Sequence, residues 1–154
     1  MNKEITSIIN SIRETLQGNP WYGKNVLGIL QQANPANVFH KVSPRAHSQA
    51  ELLYHMINWA SFVLELLKDE PAYSIRYFED NDWISIVPEK HTWEKGLASF
   101  MAVHEDIITL LQTKTDDFLE KPVKGRTYNT RFLLNGLIQH NIYHAGQVMV
   151  LNKL

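Results

Sequence analysis

His140 and His144 stand four residues apart in the run Gln139-His140-Asn141-Ile142-Tyr143-His144-Ala145-Gly146-Gln147. In an α-helix that spacing puts both on one face, with Cβ atoms about 6 Å apart. Two imidazoles so placed can converge on one ion at the roughly 2.0–2.1 Å of a Zn–N bond. The pair also belongs to an apolar stripe through Leu133, Leu137, Val148 and Leu151, where a buried polar ring needs a partner. A third histidine has the same setting, because Leu52, His55, Trp59, Phe62 and Leu66 step by 3, 4, 3 and 4 as heptad core positions do. Bundle cores build metal sites from facing helices in this way. The residues leave a plainer alternative open, in which each ring is satisfied by a carbonyl or hydroxyl.

The elements that must position these rings are legible as periodicity. Ile5, Ile8, Ile9, Ile12 and Leu16 predict an amphipathic helix over about residues 3–17, stopped by Gly18-Asn19-Pro20, where Gly18 tolerates left-handed geometry. A short helix is expected at about 24–33, ended by Asn34-Pro35. Ser48-Gln49-Ala50-Glu51 has the form of a capping box and opens a helix of about 48–68. A third long helix is expected at about 91–113, with Trp93, Leu97, Phe100 or Met101, His104, Ile107 and Leu111 inward. The fourth runs over about 130–152, capped by Asn129 or Thr130. Residues 80–88 are the one stretch that could pass for β, and they read as loop. The link from about 69 to 90 is long for antiparallel neighbours, so a crossover between the second and third long helices is expected. The fold class is therefore all-α, a four-helix bundle forming one domain over 1–154.

Composition narrows the function classes. A net charge of −1 gives no electrostatic reason to bind nucleic acid or an anionic membrane. The chain has no cysteine, which excludes disulfides, cysteine-ligated zinc and a cysteine nucleophile. No run approaches the 18 or so apolar residues of a membrane span, and the first residues lack the apolar core of a signal peptide. A soluble, cytoplasmic protein acting on a small molecule is the expectation.

The run Leu137-Ile138-Gln139-His140-Asn141-Ile142-Tyr143-His144-Ala145-Gly146-Gln147-Val148 resembles the closing signature of the DinB/YfiT-like superfamily, His-Asp-x-Tyr-His-x-Gly-Gln. Leu53-Tyr54-His55-Met56-Ile57-Asn58-Trp59 is similar to a second signature, a histidine followed by an apolar pair and often tryptophan. The resemblance implies a bundle of up-down-down-up topology and a divalent metal, commonly nickel or zinc, on His55, His140 and His144. It implies a homodimer as well. Because relatives include bacillithiol-dependent transferases and a mycothiol-dependent isomerase, it further implies a low-molecular-weight-thiol S-transferase. The alternatives are a metal-dependent hydrolase and a non-catalytic metal- or ligand-binding stress-response protein. Asn141 departs from the pattern, standing where aspartate is usual, and bears on the site's charge if that position faces the metal.

Other residues have blander expected roles. His104 falls on an inward stripe and reads as a core histidine, with a fourth ligand or a base as alternatives. His40, His47 and His91 read as exposed bystanders. Tyr143 is expected to pack against a neighbouring helix or hydrogen-bond across it, Gln147 to border the site, and Gly146 to permit close helix approach. Trp59 belongs to the core, where it could also wall the metal cavity. Trp21, Tyr22, Tyr77, Phe78 and Trp83 are link aromatics expected to cover a bundle end, a pocket or a dimer surface. Asp80/Asp82 and Asp116/Asp117 read as solvated loop charge.

Overall fold

The computed structural model describes residues 2–68 and 71–154. Among these residues six α-helices follow in order: α1 (Lys3–Gln17), α2 (Val26–Leu30), α3 (Gln49–Leu67), α4 (Ile75–Asp80), α5 (Trp93–Gln112) and α6 (Thr130–Leu151), with a 3-10 helix at Asp116–Glu120. No strand forms among the described residues, only an isolated bridge between Pro122 and Asn129. The all-helical bundle expected from periodicity is what the chain adopts.

Each long helix starts where its local chemistry dictates. Ser48 accepts from the Glu51 N–H at 3.2 Å, and the Glu51 carboxylate accepts from the Ser48 N–H at 2.8 Å, so two orphan donors of α3 are satisfied reciprocally. Thr92 and Asn129 cap α5 and α6 through their side-chain oxygens. The end of α1 differs from expectation. Gly18 sits at φ −83°, outside the left-handed region, and a Cβ there would collide with Glu14. Glycine serves here because the chain doubles back over Glu14, whose carboxylate accepts from Asn19 N–H at 2.8 Å.

α1 packs on α5 and α6, and α3 packs on the same two, so the four long helices enclose one hydrophobic cluster. Ile5, Ile8, Ile9, Ile12 and Leu16 of α1 are all buried in it. The start of α5 lies beside the early part of α3. Tyr54 donates to the Thr92 carbonyl at 3.1 Å, and a Cβ on Gly96 would stand 2.6 Å from Leu53 Cδ2. α3 and α5 thus run side by side in the same sense, while Gln49 at the start of α3 bonds Asn152 beyond the end of α6. A long link between α3 and α5 follows from that geometry.

That link is more structured than expected. Residues 69 and 70 lie outside the described residues, but α4 follows, capped by Ser74 and anchored by the buried Phe78. Asn58 of α3 donates to the Phe78 carbonyl at 3.0 Å. Arg126 holds the far side through Glu79 at 2.8 Å. These ties deliver Asn81-Asp82-Trp83 onto the surface of α3 at the level of His55.

Candidate metal site

His55 on α3 and His140 and His144 on α6 meet in space. Their ligand nitrogens lie within 4.8 Å of one another, and His55 Nε2 stands 3.1 Å from His140 Nε2. Bonds on the outer nitrogens set the tautomers. His55 Nδ1–H donates to the Asp82 carbonyl at 2.9 Å, with the Asp82 carboxylate 3.1 Å away. His144 Nδ1–H donates to Gln147 Oε1 at 2.6 Å. Each ring therefore keeps its Nε2 lone pair free. His55 Nε2 and His140 Nε2 stand at hydrogen-bond distance, so either the His140 Nε2–H donates to His55 or a cation takes that proton's place.

Protonation is disfavoured throughout the trio. Burial holds His55 and His144 below the ordinary imidazole value, against the opposing pulls of Asp82 and Gln147. Burial and then the neighbouring His144 and His55 push His140 down to about 3. Three neutral imidazoles at neutral pH are the donor set that suits zinc, nickel and related divalent ions. The residues present fit such an ion.

The surroundings of the trio hold residues that periodicity could not find. The Asp82 carboxylate also accepts from Trp59 Nε1–H at 2.6 Å, so one residue holds a histidine through its carbonyl and the tryptophan a turn later through its side chain. Far from being solvated loop charge, it braces the site. Trp83 stacks on His55 at 3.9 Å between centroids, and His47 stacks on the other face of Trp83 at 3.5 Å, each pair 7° from parallel. His47 is exposed, as expected, but is no bystander. His91 is only half exposed, its Nδ1 accepting from Val87 N–H at 2.9 Å.

His104 is fully buried and apart from the trio. Its Nδ1–H donates to the Phe100 carbonyl at 2.7 Å, and its Nε2 accepts from Asn141 Nδ2 at 2.8 Å. Burial pushes it down to about 4. The core-histidine reading holds, and with both nitrogens engaged His104 offers no fourth ligand. Asn141 thus faces His104 rather than the trio, which removes its direct bearing on the site's charge. Two further expectations need correction. Tyr143 is 65% exposed and packs under no neighbouring helix. Gly146 has nothing within 4 Å of an added Cβ, so it serves no close approach. The link aromatics divide, with Phe78 buried and Trp21, Tyr22, Tyr77 and Trp83 exposed to different degrees.

A family model for the DinB superfamily matches residues 23–148, most of the chain. The chain belongs to the DinB superfamily. The match spans α2 through most of α6 and includes all three converging histidines. No curated protein and no solved structure matches this DinB-superfamily chain. No helix among the described residues is long and apolar enough to cross a membrane.

Proposed function

We propose that the chain is a metal-dependent enzyme that uses His55, His140 and His144 as the ligands of a divalent ion, zinc or nickel, and transfers a low-molecular-weight thiol. The observation that carries this reading is the convergence of three neutral imidazoles with no fourth protein ligand grouped with them among the described residues. Structural zinc sites are normally closed by four protein ligands, whereas catalytic sites keep a position open. An ion held there supplies the positive charge that favours the anionic form of a bound thiol or water.

The chain's own residues prepare that site. Asp82 and Gln147 hold the His55 and His144 rings in the tautomer that presents Nε2. Trp83 shields one face of His55 from water. With no cysteine in the chain, a thiol must arrive as substrate or cofactor.

Elemental analysis of tag-free protein beside His144→Ala tests the ligand set: about one zinc or nickel per chain is expected, and its loss in the variant. Protein loaded with Co²⁺ should then develop a thiolate-to-metal absorption band when titrated with 2-mercaptoethanol. A loaded protein indifferent to saturating thiol would overturn the transferase reading, and no metal uptake would overturn the enzyme itself.

A further inference from the structure

Between α3 and α6 a slot of about 190 Å³ is walled by Trp59, Phe62, Leu133, Gly136, Leu137 and, at one end, His140. We infer that this slot binds the apolar portion of the substrate, a neutral group about the size of a benzene ring. The inference rests on the metal-site reading only for what lies beside the slot; the slot itself is independent of it.

Size, chemistry and the use of glycine argue for this. An apolar protein cavity of about 150 Å³ is already enough to hold benzene. The lining contains no carboxylate, ammonium or guanidinium, so a charged group would lose its hydration there without a counter-charge. Gly136 sits in the interior of a 22-residue helix, where glycine costs stability relative to alanine. Nothing lies within 4 Å of a Cβ added to it, and its φ is not positive, so neither packing nor backbone conformation demands glycine. What its missing side chain leaves is volume in the slot.

The position of the slot gives it a use. His140 forms part of its wall and, through Nε2, part of the trio 3.1 Å from His55. A ring seated in the slot abuts the His140 imidazole, beside the place where an ion would polarise a reacting atom. Phe132 borders the slot and is 63% exposed, leaving an aromatic edge open to solvent where a ligand would enter. In a thiol transfer this is the place for the apolar electrophile rather than for a polar thiol.

The test is a titration of the full chain, loaded with metal, with fluorobenzene followed by 19F NMR. Binding in the millimolar range or tighter is expected for so small a probe. Gly136→Leu should weaken it about tenfold or more, and Gly136→Ala less, with metal content unchanged in both. Gly136→Ala carries the comparison if the larger variant does not fold. No binding, as when a second copy closes the slot, or equal binding in wild type and the Gly136 variants, overturns the inference. Metal content separates the two readings. Full metal without fluorobenzene binding sinks the slot alone, whereas slot binding in a chain that takes up no metal sinks the enzyme reading alone.

Discussion

Asp82 concentrates the residue-scale argument, because its backbone and carboxylate both meet His55 while the carboxylate also holds Trp59. Removing such a brace typically costs about 10–100-fold in metal affinity; here His55 would lose the nearby negative charge and Trp59 its acceptor, while the backbone bond to His55 stays. Asp82→Ala should show that loss in a chelator competition, and Asp82→Asn a smaller one because its amide oxygen can still accept from Trp59. His104 makes the stability of the fold depend on pH. Its folded value of about 4 lies below the unfolded 6.5, so the unfolded chain takes up the proton first. Its contribution is present above about pH 6.5 and fades as pH falls toward 4, costing about 2 kcal/mol between pH 7 and 5. Urea melts at the two pH values should show that slope, reduced in Asn141→Asp, whose carboxylate would favour the imidazolium. A slope unchanged in His104→Gln would refute the assignment. The three histidines were legible in the sequence because helical periodicity orders them. Asp82 was not, since it lies 27 residues from His55 in a link without repeating pattern, and only the folded link joins them.

At the scale of elements, the four long helices were legible to within a residue or two because each carries several turns of apolar repeat, and α3, α5 and α6 also a side-chain cap. α4 was missed for the opposite reason. Six residues make under two turns, so the Ser74 cap and the apolar pair Ile75 and Phe78 cannot establish a period. Glycine roles inside helices were equally hidden, because sequence does not say what stands opposite. The structure sorts them. Gly136→Ala and Gly146→Ala each add a methyl into open space and should stabilise by about 0.5–1 kcal/mol. Gly96→Ala drives a methyl to 2.6 Å from Leu53 and should destabilise by about 1–3 kcal/mol, loosening the α3–α5 contact. Thermal melts of the three variants read both signs. A destabilised Gly136→Ala would mean that α6 is packed more closely there than the geometry shows.

For the molecule as a whole, the trio and its brace join α3, α6 and the link, which otherwise meet through apolar packing and scattered polar bonds. The hydrophobic cluster runs the length of the bundle and does not depend on the trio, with residues as distant as Ile5, Leu67 and Leu119 belonging to it. An ion bound by the folded chain alone therefore adds stability without being needed to form the helices. At a free concentration a hundred times its dissociation constant the gain is about 2.7 kcal/mol, or about 5–10 °C in Tm for a domain of this size. Chelation should lower Tm by that amount while leaving the far-UV circular dichroism at room temperature unchanged. It should also release Trp83, whose fluorescence then shifts as the stack on His55 loosens. Collapse of the helical signal on chelation would instead make the ion a structural staple, and the reading of an open site for chemistry would fall with it.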